Sequence, residues 1–229
     1  EAHFNLGNVL QKLGKPEEAA ASYQQSIKIK PAFAEAHNNL GNILQDEGRL
    51  NDAEASYKQA IVLKSDYVLA HNNLGNTLTE LGRSVEAETS FTQAIALKPD
   101  YAEAHSNLGN TLQELGRFDE ALASYNRAIA LKPDIAEAHY NLGITLKELG
   151  RLGEAEASYK QAIALKPDYA AAHRHLSSMK NFNAQDEQYL KMLELYIDKN
   201  ISEEQRCHIN FGLAKACEDL KDFDQAFIH

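Results

Sequence analysis

Residues 101–134 read YAEAHSNLGNTLQELGRFDEALASYNRAIALKPD, and the pattern of this 34-residue stretch recurs along the chain. Six histidines stand one such step apart, at His3, His37, His71, His105, His139 and His173. A fixed period of this length is typical of a helix-turn-helix unit that is stacked many times in a row. The sequence therefore predicts an array of helical repeats.

The stretch contains two amphipathic helices with a glycine between them. His105, Leu108, Gly109 and Leu112 fall on one stripe of the first helix. Glycine is unfavourable inside a helix by about 1 kcal/mol relative to alanine, so Gly109 predicts close approach of the partner helix. Gly116 follows the first helix and predicts a turn with positive φ, which permits the chain to reverse.

The end of the stretch carries signals for one helix to stop and the next to start. Pro133 stops the second helix, and Asp134 is followed three residues later by Glu137. This spacing predicts a capping box with Asp134 as the N-cap. Each helix pair leaves apolar surface uncovered until the next pair stacks on it, so the stack itself is the predicted fold.

Further columns keep the same period. They comprise a leucine, two glycines, an alanine and an aromatic residue per unit, as in Leu6, Leu40, Leu74, Leu108 and Leu142, in Gly7, Gly41, Gly75, Gly109 and Gly143, in Gly14, Gly48, Gly82, Gly116 and Gly150, in Ala19, Ala53, Ala87, Ala121 and Ala155, and in Tyr23, Tyr57, Phe91, Tyr125 and Tyr159. These columns resemble the tetratricopeptide repeat (TPR) family over residue 1 to about residue 169. The resemblance implies an all-α, right-handed superhelical solenoid of helix-turn-helix repeats. One departure recurs: the family often has tryptophan where this chain has its histidines, and the chain contains no Trp.

The periodicity divides the chain into three predicted parts. Residues 1–169 form five TPR units, the first of which lacks its start. Residues 170–204 form a divergent helical segment, with a helix expected from about Ala184 to Ile197. Residues 205–229 resemble the start of a further, truncated unit.

The last part also resembles a second kind of protein. Residues 201–227, with Phe211-Gly212-Leu213-Ala214-Lys215-Ala216 and Glu218-Asp219-Leu220, look like the junction in bacterial proteins whose TPR units precede a sulfotransferase domain. Those proteins bind the sulfate donor with a phosphate-binding loop, and this sequence has none. An alternative function is therefore the substrate-presenting or regulatory arm of a larger bacterial sulfotransferase.

The polar face of the first helices is the candidate binding surface, and the resemblance implies that it lines a concave groove. Amides both donate and accept hydrogen bonds, which suits recognition of an extended peptide. One asparagine recurs in every unit, at Asn5, Asn39, Asn73, Asn107 and Asn141. This asparagine column is similar to the asparagine ladder of the O-linked N-acetylglucosamine transferase superhelix, which holds peptide main chain; the alternative is a structural bond to the neighbouring backbone. The predicted peptide-binding residues are Asn8, Asn39, Asn42, Gln45, Asp46, Asn73, Asn76, Glu80, Asn107, Asn110, Gln113, Glu114, Asn141 and Glu148.

Charge narrows the class of partner. The chain has 33 acidic and 23 basic residues, a net charge of −10, which disfavours nucleic acid and anionic membranes as partners. Asp46, Glu80, Glu114 and Glu148 stand one period apart and form an acidic row. This row predicts a preference for segments that carry Lys or Arg. The alternative is a face that only keeps the chain in solution.

Catalysis, cofactors and metals are not indicated. The sequence has no phosphate-binding loop, dinucleotide fingerprint, zincin motif or nucleophile elbow. The histidine column cannot form one metal site, because equivalent helices pack about 8–10 Å apart whereas zinc ligands lie about 2 Å from the ion. The predicted function is a non-enzymatic scaffold that binds protein or peptide, without cofactor or metal.

Location and self-association complete the predictions. No apolar run approaches the roughly 20 residues of a membrane span, and the two cysteines suit a reducing cytoplasm. Uncapped terminal repeats predict self-association as a third alternative, through residues such as Phe4, Phe223 and Phe227.

Overall fold

A computed structural model describes residues 1–222, and all regular secondary structure in that range is α-helical. The prediction of an all-α fold is confirmed. The chain divides into two compact units, unit 1 over residues 1–117 and unit 2 from residue 118 to the end. None of the thirteen helices described combines the length and the apolar character that a bilayer crossing needs.

Unit 1 contains seven helices that pack in sequence, each against its neighbour along the chain. Odd-numbered helices begin the hairpins and even-numbered helices complete them. The helices are α1 (Ala2–Lys12), α2 (Pro16–Ile29), α3 (Ala34–Asp46), α4 (Leu50–Leu63), α5 (Val68–Glu80), α6 (Ser84–Leu97) and α7 (Ala102–Glu114).

Each hairpin of unit 1 is held by an aromatic ring that presses on a glycine. Tyr57 of α4 is fully buried, and a Cβ added to Gly41 of α3 would lie 2.6 Å from its Cε1 atom. The glycine column is therefore required by close approach of the partner helix, as Gly109 predicted. Between α3 and α4, Gly48 has φ +74°, the left-handed region that favours glycine.

Residues 118–222 of unit 2 contain six helices, which continue the hairpin pattern before departing from it. They are α8 (Phe118–Leu131), α9 (Ala136–Glu148), α10 (Leu152–Leu165), α11 (Ala170–Ser177), α12 (Glu187–Ile197) and α13 (Glu203–Leu220). The last three helices share an apolar core that includes Phe182, Met192, Ile209 and Leu213.

Two predictions about helix starts are wrong. The helix expected from Ala184 begins at Glu187, because Asp186 accepts hydrogen bonds from the backbone N–H groups of the first turn. Asp134 does not cap α9, whose N-cap residue is Ile135 and which has no side-chain cap. A capping box does occur at α13, where the Ser202 hydroxyl accepts from the Gln205 backbone and the Gln205 side chain accepts from the Ser202 backbone.

The histidine column fixes the loops between repeats. In each described case the ring Nε2 atom lies 2.9–3.1 Å from the carbonyl oxygen six residues earlier, so this nitrogen carries the proton. The pairs are His37 with Pro31, His71 with Ser65, His105 with Pro99, His139 with Pro133 and His173 with Pro167. Residues 1–222 contain no group of three His, Cys, Asp or Glu side chains that could hold a metal ion.

Three aromatic residues near the two ends of the chain were predicted to mediate self-association. Phe4 is half-buried and packs within unit 1, with its ring centroid 4.7 Å from that of Phe33 and 5.8 Å from that of Tyr23. Phe223 and Phe227 lie outside the described residues.

Candidate protein-binding face

The predicted binding residues of unit 1 lie together on α1, α3, α5 and α7, the first helices of its hairpins. Asn141 and Glu148 lie on α9 of unit 2. We use the name amide face for seven of the predicted carboxamide residues of unit 1, namely Asn8, Asn39, Asn42, Gln45, Asn73, Asn76 and Asn107.

Hydrogen bonds between asparagines join successive repeats across the amide face. In each bond, which we call a rung, the Nδ2 atom of one repeat donates to the Oδ1 atom of the preceding repeat. The rungs are Asn39 to Asn8 at 3.1 Å, Asn73 to Asn42 at 2.9 Å and Asn107 to Asn76 at 2.9 Å. The partner is thus a side chain of the preceding repeat, which neither interpretation of the asparagine column had anticipated.

The buried tyrosines support the rungs from behind. The Tyr57 hydroxyl donates to Asn42 Oδ1 at 2.8 Å or to Gln45 Oε1 at 3.1 Å. Burial raises the pKa of Tyr57, and the negative charges of Asp46 and Glu80 raise it further. The hydroxyl therefore stays protonated and orients the amides on the surface.

Each rung uses one polar atom of each amide and leaves the other polar atom of several amides without a hydrogen bond. Within residues 1–222, the Nδ2 atoms of Asn42 and Asn76 donate to no group, and the Oδ1 atoms of Asn73 and Asn107 accept from none. These side chains are half-buried, and none of the four atoms is among the buried atoms without a partner, so all four reach solvent. The face presents both donors and acceptors, which an extended main chain requires.

An acidic row borders the amide face. Asp46, Glu80 and Glu114 are exposed, the Gln45 amide donates to Glu80, and the Ser84 hydroxyl donates to Glu114 at 3.0 Å. Neither Asp46 nor Glu80 forms an ion pair with any residue that the structure describes. The negative charge of this row is therefore balanced by solvent alone.

Unit 2 departs from the pattern at one rung. A step of 34 residues from Asn110 leads to Ile144, and the same step from Asn141 leads to His175. Both members of the rung are thereby replaced. Both replacements are visible in the sequence, since Ile144 interrupts the column of Asn42, Asn76 and Asn110, and His175 interrupts the column that contains Asn141.

The tyrosine behind this rung has lost its hydrogen bonds. The Tyr159 side chain is fully buried, and its hydroxyl has no hydrogen-bond partner. Ile144 and Lys147 occupy the places from which Asn42 and Gln45 accept from Tyr57. An unpaired buried hydroxyl costs about 1–3 kcal/mol.

Aromatic rings surround this tyrosine in place of amides. The ring of His175 stacks on Tyr159 with centroids 5.4 Å apart, and Tyr140 lies 5.6 Å from His175 and 4.8 Å from Tyr169. Burial lowers the pKa of His175 to about 4, assisted by electrostatic repulsion from Lys147, Arg174 and His208. His175 is therefore neutral at physiological pH.

Comparisons with protein families agree with the repeat pattern. Three family models described as tetratricopeptide repeats match residues 7–48 and 41–82, residues 66–134, and residues 106–170. These matches do not reach the segment that resembles TPR-sulfotransferase proteins, so that resemblance stays a prediction. No curated protein matches the sequence.

Several solved structures are similar to this chain. The structure of PilW, described as a widely conserved type IV pilus biogenesis factor, is 25% identical, with a TM-score of 0.77 and coverage of 90% of this chain and 96% of that one. A structure of MamA is 28% identical, with a TM-score of 0.66 and coverage of 72% and 96%. YrrB, described as a TPR protein with an unusual peptide-binding site, is 25% identical, with a TM-score of 0.65 and coverage of 74% and 88%.

Proposed function

The chain belongs to the tetratricopeptide repeat family, and on that premise we propose that it is a non-enzymatic module that binds an extended protein segment on the amide face of unit 1. The observation that carries the proposal is the set of unused donors and acceptors on this face. Asn42 and Asn76 offer N–H groups, and Asn73 and Asn107 offer carbonyl oxygens, at spacings that the rungs hold fixed. Preorganised groups reduce the entropy lost on binding, so they favour a ligand that pairs with them.

The acidic row supports a preference for basic segments. The negative charges of Asp46 and Glu80 both raise the pKa of Tyr57, so both carboxylates act on the same part of the face. Their mutual repulsion is relieved when a cation approaches, so Lys or Arg beside the bound main chain stabilises the complex. The peptide-binding site named for YrrB supports a peptide as the kind of ligand.

The test compares labelled extended peptides of one length and background that carry Lys, Gln or Glu at the same positions. We expect the Lys peptide to bind most tightly by fluorescence anisotropy, and its affinity to fall as salt is raised. Asp46→Lys combined with Glu80→Lys should weaken that binding about tenfold or more. Both side chains are exposed, so the fold should persist.

A control variant separates the acidic row from net charge. Asp66→Lys with Asp100→Lys changes the chain's charge by the same amount at two exposed residues of the loops between repeats. This variant should bind the Lys peptide nearly as well as the parent chain. Equal loss in both variants, or equal binding of all three peptides, contradicts the proposal.

A second candidate function is self-association. Leu6 and Val9 of α1, and Leu13 at its C-cap, are about half exposed or more, which leaves an apolar stripe along that helix. Sedimentation velocity over a range of concentrations tests it, with Val9→Lys as the variant. A monomer at every concentration in the parent chain excludes this function.

A further inference from the structure

The interrupted rung of unit 2 differs from every described rung of unit 1 in hydrogen-bonding chemistry. Asn73 donates to Asn42 at 2.9 Å, whereas the equivalent pair in unit 2 is His175 and Ile144. Isoleucine has no acceptor, so a rung cannot form. The amide surface is replaced by an apolar side chain beside an imidazole.

The replacement leaves a hydrogen-bond donor without an acceptor. The Tyr159 hydroxyl is buried and unpartnered. In unit 1 the equivalent of His175, Asn39, has its Nδ2 atom 3.5 Å from the hydroxyl of Tyr23. His175 thus occupies the place equivalent to that of Asn39, and its ring stacks on the ring of Tyr159 with centroids 5.4 Å apart.

Cations lie near this rung in addition to carboxylates. Asp46 and Glu80 act on Tyr57 in unit 1, whereas Lys147, Arg174 and His208 act on His175 in unit 2. Acidic groups near the cluster are Glu148, which acts on Tyr159, and Glu137, which acts on Tyr169. The balance of positive and negative charge around this rung therefore differs from that around the rungs of unit 1.

The two cations are available to a ligand. Lys147 and Arg174 are exposed, and neither forms an ion pair with a carboxylate among residues 1–222. Arg174 is held in position, with its guanidinium 4.6 Å from the centroid of Phe211 and 3.4 Å from His208 Nδ1. A fixed, unpaired guanidinium favours a carboxylate ligand.

We propose that this cluster binds an acidic side chain, Asp or Glu, of an extended protein segment. We call it the fifth-rung cluster, because Ile144 and His175 stand where the fifth pair of asparagines along the chain would be expected. It consists of Tyr140, Ile144, Lys147, Tyr159, Arg174 and His175. Lys147 and Arg174 attract the carboxylate, and the Tyr159 hydroxyl donates to it once the ring of His175 turns aside. The proposal rests on the proposed binding of protein segments but places it on unit 2, with the opposite charge preference.

The cluster can be converted back into an ordinary rung. Ile144→Asn, Lys147→Gln and His175→Asn together reproduce the residues found around Tyr57, so this restored variant should fold. We expect it to have a higher melting temperature than the parent chain, because Tyr159 regains its acceptors. We expect it to lose the affinity for acidic peptides.

The measurement uses the complete chain and the Glu, Gln and Lys peptides. NMR of the imidazole nitrogens should show His175 shifting on addition of the Glu peptide, with affinity about tenfold above that for the Gln peptide. Arg174→Ala, at an exposed residue, should reduce this preference and lower the melting temperature only slightly, through loss of the contact with Phe211. Asp46→Lys with Glu80→Lys should leave the His175 response in place.

The outcomes separate the two proposals. If the His175 response to the Glu peptide persists unchanged in the restored variant, or is absent from the parent chain, the fifth-rung cluster is not a site for acidic side chains. If the Lys peptide fails to bind while the His175 response remains, the amide face of unit 1 is refuted and the cluster stands.

Discussion

Removing one oxygen atom should have opposite effects on stability in the two units. Tyr57→Phe deletes a hydroxyl that donates at 2.8 Å or 3.1 Å to the amide face, whereas Tyr159→Phe deletes one that has no partner. Phe91 occupies the same column and is equally buried, so a phenyl ring fits there without the hydroxyl.

The magnitudes follow from the hydrogen bonds. A typical hydrogen bond contributes about 0.5–1.5 kcal/mol net. In Tyr57→Phe both acceptors keep another donor, Asn73 for Asn42 and Thr77 for Gln45, so we expect a loss of about 0.5–1.5 kcal/mol. Tyr159→Phe relieves an unpaired hydroxyl, so we expect a gain of about 1 kcal/mol, less the small cavity left by the oxygen.

The assay is chemical and thermal unfolding of the complete chain followed by circular dichroism, with amide hydrogen exchange to locate each change. Each repeat contacts its neighbours, so exchange should quicken in unit 1 for Tyr57→Phe and slow in unit 2 for Tyr159→Phe. Destabilisation of similar size by both substitutions would refute the assignment of Tyr159 as an unpaired hydroxyl.

Three further substitutions or conditions test the rest of the fold. Gly41→Ala should destabilise by about 1–3 kcal/mol, because the new Cβ would lie 2.6 Å from the Tyr57 ring, whereas Gly153→Ala, with open space around it, should be neutral or stabilising in the same unfolding experiment. Asn73→Ala should cost about 1–2 kcal/mol by thermal unfolding through the loss of two bonds to the preceding repeat, and an unchanged melting temperature would show that the rungs add nothing. Acidification should reduce the free energy of unfolding between pH 6.5 and about 4, because the pKa of His175 is lowered in the folded chain and the unfolded chain binds the proton first. The loss should reach up to about 3 kcal/mol. It should be absent when the unfolding of His175→Asn is measured over the same pH range.

Much of the helical framework could be predicted from periodicity because local physics determines it. Gly116 follows the end of an amphipathic helix, and its φ of +73° is the positive value that its position in the turn predicted. The contact of Gly41 with Tyr57 is likewise local, since both belong to one hairpin. Asp134 failed as a cap because the loop reaches α9 through Ile135, and spacing alone does not give the direction in which a side chain points.

The candidate site could be predicted only in part. The sequence located the amides on one helix face, but the bond from Asn73 to Asn42 joins different repeats and depends on how hairpins stack. The role of His105 was also missed, because its partner is a backbone carbonyl in the loop before its own helix. The unpaired hydroxyl of Tyr159 follows from two substitutions, Ile144 and Lys147, whose common neighbour is known only from the fold.

Each rung takes its donor from one repeat and its acceptor from the repeat before it. This arrangement determines which insertions and deletions of whole repeats preserve the rungs. A repeat of unit 1 supplies a donor to the rung before it and an acceptor to the rung after it, so duplication or loss of a whole 34-residue block joins a donor to an acceptor again. The block that carries Ile144 has no acceptor to pass on, and an asparagine placed after it would lose its partner. Ile144 and His175 therefore depend on each other although they belong to different repeats, and an exchange that separates them leaves an amide without its partner.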